Sequence, residues 1–558
     1  MSVTPILNGN EKNNQRENGS EWWRSAVIYQ IYPRSFADAN GDGMGDLKGI
    51  TERLPYLAKL GIDAIWLSPF YKSPQADAGY DVADYRQVDP LFGTLDDFDA
   101  MLDKAHASGL RVIVDLVPNH SSDEHEWFKA ALASPEGSPE RERYMFRDGK
   151  GKNGELPPNN WQSVFGGGAW TRPEGQKQWY LHIFDTKQPD FNWQNPEVRA
   201  EFESVLRFWL DRGVDGFRVD VAHGLVKEEG LPDFDEEYQQ SMVEGGNQGP
   251  MWDQDGVHDI YRDWRKVLNE YDGDRMMVAE AWVKPQERLA LYIRSDEMQQ
   301  AFNFDYLLTH WDAAEVRQLI DESLAQTALT NATTTWVMSN HDSVRHTSRF
   351  GLSNPGDRPN GIGRDSEQPD EALGLQRARA FAFVTFFLPG AAYIYQGEEL
   401  GLPEHTTMED KYRQDPTFWR TKGEEIGRDG CRVPLPWKAD APAFGFGPSD
   451  QSWLPQPQAF ARYAVDVEEA DSDSTLALYR KVLEVRAEHH LGQGELQWLD
   501  APAEDTLLAR NGDVYMLINF GESAVKLPWE DVQVLTASHA QASDTELDGN
   551  TGIWFQRS

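Results

Sequence analysis

The sequence predicts an α/β protein built on a (β/α)8 TIM barrel, with a loop-rich subdomain inserted in the barrel and an all-β sandwich domain at the C-terminus. Three observations carry this. Short β-branched runs alternate with amphipathic stretches through most of the chain, the pattern of a parallel sheet. Polar or charged residues bunch directly after each run, where a parallel barrel keeps its site-forming loops. After residue 490 the texture changes to short alternating runs separated by Gly, Asp and Asn, which reads as a separate β domain. A doubly wound sheet is the rival arrangement of the same alternation.

Residues 1–20 are a polar tail without the basic and apolar regions of a signal peptide. Next come AVIYQIYPRSF, a helix around Ile50–Leu60, IDAIWLSPF, a helix around Leu95–Ser108, and RVIVDLVPNH, a β-α-β-α-β series. VDGFRVDVA, RMMVAEAWV, AFNFDYL, TTTWVMSNHD and AAYIYQGEE continue it, preceded by helical segments such as VRAEFESVLRFWLDRG. Residues 21–119 and 191–490 are thereby assigned to the barrel. The interval 120–190 is rich in Gly, Pro, Asn and Trp and too long for an ordinary βα loop, so it is read as the inserted subdomain, with FGGGAW (165–170) as a mobile loop. LQWLD, TLLARNG, VYMLINF, AVKLPW and WFQRS fall in a C-terminal β domain, 491–558. The longest apolar run, AFAFVTFFLPGAAYIY (380–395), is broken by Pro389-Gly390. Its first half is too short to cross a bilayer, so it reads as a buried helix followed by a strand.

The 558 residues include 20 Trp, 19 Tyr and 26 Phe, ample for a large core and too rich for a disordered chain. Lys and Arg number 53 against 92 Asp and Glu, a net charge of −39. Such a field repels polyanions, which argues against nucleic acid, anionic membranes and phosphorylated sugars as partners. One cysteine, Cys431, allows neither an intramolecular disulfide nor a thiolate cluster. A cytoplasmic monomer or small homo-oligomer is expected, with no organic cofactor.

Asp38, Asn40, Asp42, Met44 and Asp46 place oxygen ligands at every second position, with glycines between them. This is calcium-loop spacing, although Gly49 stands where an EF-hand would carry its glutamate. The expectation is a structural Ca2+ clip on a βα loop, with Mg2+ or a metal-free turn as alternatives. Five acids then stand at strand ends: Asp81, Asp115, Asp220, Glu280 and Asp342. Any one alone reads as a helix cap. Together with Arg218, His120 and His341 they converge on the barrel mouth. The histidines lack the local pairing of a zinc site.

The strings DLVPNH (115–120), QPDFN (188–192), GFRVDVAH (216–223), AEAW (279–282) and SNHD (339–342) occur in that order, and in them the chain resembles the α-amylase family, glycoside hydrolase family 13. It resembles the α-glucosidase and oligo-1,6-glucosidase branch most closely, over nearly the whole chain. The resemblance implies Asp220 as nucleophile, Glu280 as general acid/base and Asp342 as the carboxylate that orients the sugar. It implies His120 and His341 as hydrogen-bond donors to sugar hydroxyls, Tyr80 as an aromatic face, and Asp81 with Arg432 as a pair gripping the terminal glucose. Phe165 and Trp161 either wall the pocket or pack its surroundings. Two carboxyls about 5–5.5 Å apart would suit a retaining mechanism. Arg218 shares a strand face with Asp220, where its charge would keep the nucleophile ionised.

In the resembling branch valine after the nucleophile, here Val221, accompanies α-1,6 cleavage, but Ala222-His223 departs from the usual continuation and leaves linkage open. The activity expected is exo-acting release of glucose from short neutral α-glucosides through a covalent intermediate, with transglucosylation as a side activity. A strict oligo-1,6-glucosidase, or a dedicated transferase of the sucrose isomerase or trehalose synthase type, is the alternative. The RLDRD string associated with sucrose isomerases is absent. A non-catalytic transporter subunit would require a membrane anchor and would tolerate loss of the acids that this chain retains.

Overall fold

A computed structural model describes residues 21–234, 249–357, 359–540, 543 and 545–557. The polar tail 1–20 lies outside the described residues. Eight parallel strands follow one another around a barrel: β1 (Val27–Ile31), β2 (Ala64–Leu67), β3 (Arg111–Leu116), β4 (Gly216–Val219), β5 (Met276–Ala279), β6 (Gln300–Ala301), β7 (Thr335–Val337) and β8 (Ala391–Tyr395). Backbone pairing is continuous from β6 through β5, β4, β3, β2, β1 and β8 to β7. A side chain spans the remaining seam: Thr335 Oγ1 donates to Ala301 O at 2.7 Å and accepts from Asn303 N at 3.2 Å. The sixth strand is shorter than AFNFDYL predicts. Asn303 caps the amide of Tyr306 and turns Phe304–Leu307 into a helix.

The surrounding helices begin and end where their caps dictate. Helix α1 (Leu47–Leu60) starts at Asp46, whose side chain accepts from Gly49 N, and stops at Gly61, φ 95°. Helix α2 (Leu95–Ala107) has a reciprocal capping box between Thr94 and Asp97. Helix α3 (Pro196–Arg212) opens with Asn195 and Pro196 and closes on Gly213, φ 103°. The apolar run forms α4 (Glu371–Phe387) and then β8. No helix among the described residues is long and apolar enough to cross a membrane.

The C-terminal domain explains why the second half of α4 is buried on every side. Strands β9 (Leu496–Trp498), β10 (Thr506–Asn511), β11 (Val514–Asn519), β12 (Val532–Ala537) and β13 (Thr551–Arg557) form an antiparallel sheet ordered β9-β10-β11-β13-β12. Trp554 packs on Phe383 at 5.3 Å between ring centres and donates to the Phe383 carbonyl at 3.1 Å. Asn511 donates to the Phe387 carbonyl at 2.8 Å. The opposite face of the sheet buries Leu508, Leu517, Ile553 and Phe555 with Leu547, which lies in a two-stranded antiparallel pair. In the insertion, a helix (Glu126–Ala133) accompanies a small antiparallel sheet in which Gln178–Leu181 lies between Phe146–Asp148 and Trp170–Thr171.

Candidate active site

The register of the barrel brings the two central acids together. Val219 pairs with Ala279 across β4 and β5, so Asp220 and Glu280 are the next residues on neighbouring strands. Their backbones continue the staircase: Asp220 N donates to Leu116 O at 2.8 Å and Glu280 N to Val219 O at 2.9 Å. Arg218, 3 % exposed, lies among three carboxylates. Its Nη1 bonds both Asp115 oxygens at 3.0 and 3.2 Å and also Asp220 Oδ1, while its Nη2 lies 3.6 Å from Glu280 Oε2. One guanidinium is therefore shared. Burial pushes Asp220 well above the usual aspartate range, the charges of Glu280 and Asp115 add to this, and Arg218 opposes them. Burial likewise raises Asp115, to about 7. Arg218 favours the ionised form of Asp220 as expected, against the larger effect of burial, and its charge is shared with Asp115 and Glu280.

Both oxygens of Glu280 are held. Oε2 accepts from Val221 N at 2.7 Å, and Oε1 accepts from Trp282 Nε1 at 2.8 Å. Trp282 in turn stacks on Phe304. Asp342 faces two guanidinium groups through Oδ1, Arg428 Nη1 at 3.0 Å and Arg432 Nη2 at 2.8 Å, and His341 Nε2 at 3.2 Å through Oδ2. Although burial opposes ionisation, His341, Arg428 and Arg432 hold this carboxyl well below the usual range.

Both histidines stand at the site, where burial favours their neutral forms. Burial lowers His341 to about 3, and lowers His120 as well. His341 is fixed between Gln30 Nε2, 2.7 Å from Nδ1, and the Tyr80 hydroxyl, 2.6 Å from Nε2. His120 Nε2 contacts Tyr80 O and Gln188 Nε2, each at 3.1 Å. Phe165 lies beside Arg428, 5.5 Å from the guanidinium carbon, and packs on Phe184. Trp161 is 1 % exposed and belongs to the cluster of the inserted subdomain with Phe165, Phe184, Val221 and Trp252.

The gripping pair does not form as expected. Asp81 is fully buried and accepts from the amides of Ala76, at 2.8 Å, and Asp77, at 2.9 Å, and burial raises it to about 6. Its carboxylate shapes its own turn. Asp77 makes the contact instead: Oδ1 accepts from Arg428 Nη2 at 3.1 Å, and Oδ2 from Gln188 Nε2 at 3.2 Å. Arg428 is aimed by Asp415, which accepts from its backbone amide at 2.7 Å and its Nε at 2.8 Å. Arg432 remains in the site, on Asp342 and on the His341 carbonyl at 2.8 Å. In ADAGYD and GRDGCR the residues in contact lie four positions before those the sequence reading selected, and carry the same side chains. Residue type alone could not separate them; the turn that Asp81 caps does.

The 38–46 loop curls through Gly41 and Gly43 at φ 85° and 89°, backbone that glycine adopts freely. Asp38 accepts from Gly41 N at 2.6 Å and Gly43 N at 2.8 Å, Asn40 from Asp42 N at 2.9 Å, and Asp42 from Met44 N at 2.9 Å. Asp46 accepts from Gly49 N at 2.6 Å and Ala39 N at 3.1 Å. Among the described residues no three His, Cys, Asp or Glu side chains gather closely enough to hold a metal. The donor set is nonetheless all oxygen, the chemistry of a hard cation, and a carboxylate oxygen already accepting one amide keeps a second lone pair.

Comparison with known proteins agrees with this geometry. The family model of the α-amylase catalytic domain matches residues 30–494. A probable alpha-glucosidase of Rhizobium meliloti is 38 % identical over 546 residues, covering 92 % of each chain. An oligo-1,6-glucosidase of Parageobacillus thermoglucosidasius is 35 % identical over 567 residues, covering 94 % of this chain and 95 % of its own. Among solved structures, the alpha-glucosyl transfer enzyme XgtA superposes with a TM-score of 0.84 at 34 % identity, covering 96 % of this chain and 99 % of its own. The trehalulose synthase MutB from Pseudomonas mesoacidophila MX-45 does so with 0.84 at 32 % identity, covering 97 % and 100 %. With its barrel, its strand-end acids and these relatives, the chain belongs to the α-amylase family, as a glycoside hydrolase.

Proposed function

We propose that this enzyme is a retaining, exo-acting α-glucosidase that releases glucose from the non-reducing end of short neutral α-glucosides. The observation that carries the reading is the bridge Asp77–Arg428–Asp342, with contacts of 3.1 and 3.0 Å. A salt-bridged wall of this kind would close the pocket behind one sugar unit, which favours terminal over internal cleavage. In the first step Asp220 attacks the anomeric carbon, the glycosidic bond breaks, and Glu280 gives its proton to the departing oxygen. In the second, Glu280 takes a proton from water, which displaces Asp220 and returns both groups to their starting states. Asp342, kept ionised by its two arginines, would accept sugar hydroxyls and oppose the positive charge that develops at the ring. The neutral His120 and His341, with Tyr80, would complete the polar lining. Asp38, Asn40, Asp42 and Asp46, with the Met44 carbonyl, would hold Ca2+ as a structural clip.

Parallel incubation with maltose, isomaltose and sucrose, with Asp220→Asn as the blank, tests the reading. Glucose release from at least one disaccharide, lost in the variant, is expected; release that survives Asp220→Asn would overturn the assignment. A second reading, dedicated glucosyl transfer or sucrose isomerisation, is favoured by the resemblance to XgtA and to the trehalulose synthase MutB, of which a mutant is known in complex with the substrate sucrose. New disaccharides without net glucose would move the enzyme to that class.

A further inference from the structure

The residue after Asp220 has a backbone that its side chain disfavours. Val221 adopts φ 45°, in the left-handed region that β-branched residues avoid. Several contacts hold it there. Its carbonyl accepts from Gly224 N at 2.8 Å, and the next amide, Ala222 N, donates to the Glu280 carbonyl at 2.8 Å. The Ala222 carbonyl is tied to the Tyr261 hydroxyl. The valine side chain, 4 % exposed, is packed in the cluster of the inserted subdomain with Met145, Phe165, Phe184, Met251 and Trp252. The amide of the same residue, Val221 N, donates to Glu280 Oε2 at 2.7 Å.

We infer that Val221 is a positioning residue for the general acid: packing of its side chain against the inserted subdomain holds a left-handed backbone whose amide fixes Glu280 Oε2. Strain of this kind persists only where surrounding contacts over-determine it, and it gathers at functional sites. The role differs from that of a side chain selecting a linkage by its bulk, because it acts through the main chain on a group across the β4–β5 step. A shortened side chain loosens the turn and lets the amide drift from Glu280. A β-branched replacement retains the packing. The inference rests on the glycosidase reading above, with Glu280 as proton donor.

The test separates protonation from the rest of catalysis. kcat/KM covers steps up to the first irreversible one, formation of the glucosyl-enzyme. For maltose or isomaltose, whichever the wild type cleaves faster, that step requires Glu280 to protonate the departing oxygen. For α-glucosyl fluoride the C–F bond breaks and fluoride leaves without a proton, while Asp220 forms the same bond to carbon. The quantity read is the ratio of kcat/KM on the disaccharide to kcat/KM on the fluoride. Val221→Ala is expected to lower this ratio about tenfold, a loss of about 1.4 kcal/mol, and Val221→Ile to keep it within about threefold of the wild type. The fluoride reaction is itself the check that a variant is folded. An unchanged ratio in Val221→Ala, or equal losses on both substrates, would overturn the inference. A wild type that cleaves neither substrate would overturn the glycosidase reading and this inference with it.

Discussion

Arg428 Nη2 lies 3.1 Å from Asp77 Oδ1, joining a residue of the β2–β3 connection to one in the long segment after β8. Both are buried or nearly so, and the same guanidinium reaches Asp342 and Asp415. A buried charge with three carboxylate partners is a rigid structure, and truncating one member leaves the others imperfectly compensated.

Asp77→Asn is expected to cut kcat/KM on disaccharides by about 100-fold, a loss of about 2.7 kcal/mol, with most of the change in KM. Asp81→Asn should act differently, because Asp81 accepts two backbone amides and contacts no other site residue named above. Its cost is expected in stability, about 1–3 kcal/mol for a buried group left partly unsatisfied. Steady-state kinetics beside thermal unfolding of both variants check the four-residue displacement of the gripping pair. A kinetic defect larger in Asp81→Asn than in Asp77→Asn would contradict it.

With Asp220 as the proposed nucleophile, its titration is expected to set the acid limb of the pH profile. Its pKa is raised by burial and neighbouring carboxylates, and only the ionised form attacks. Activity is therefore lost as pH falls through a value above the ordinary aspartate range, not near it. Arg218→Lys replaces a shared fork by a point charge that cannot serve Asp115, Asp220 and Glu280 together. The acid limb of kcat/KM should move to still higher pH, with about a tenfold loss near neutrality.

Stability is expected to decline toward alkaline pH. Burial raises Glu398 to about 8, with the Tyr479 hydroxyl donating to it at 3.1 Å. The folded protein keeps this proton to higher pH than the unfolded chain, whose glutamates titrate at about 4.3. The contribution is thus complete at low pH and lost as pH rises through about 8. Melting temperatures between pH 6 and 9 should fall, and Glu398→Gln should flatten that slope. A wild-type slope that Glu398→Gln leaves untouched would place the effect elsewhere.

Calcium binding at the 38–46 loop is checked by chelation. Removing the ion with EDTA should lower Tm and adding Ca2+ should restore it. An ion at 100 times its Kd stabilises by about 2.7 kcal/mol. Asp38→Asn with Asp42→Asn should abolish the calcium dependence, while Tm that ignores both chelator and calcium would exclude the clip.

The sequence by itself determined the barrel, the insertion and the C-terminal sheet, because alternation of apolar runs, cap residues such as Asp46, Asn195 and Gly213, and the break at Pro389-Gly390 are local signals with local causes. The strand-end pattern directed five acids toward one mouth, and the resemblance to the α-amylase family singled out Asp220, Glu280 and Asp342 among them. The short sixth strand was not legible, because closure there depends on Thr335 from the next strand. Nor was the choice of Asp77 over Asp81 or of Arg428 over Arg432, where identical side chains four residues apart are separated only by which carboxylate turns onto its own backbone. Tertiary structure alone decided how one Arg218 is divided among three acids and how Val221 is bent toward Glu280. Those are properties of neighbours distant in sequence, and no local pattern encodes the distance between them.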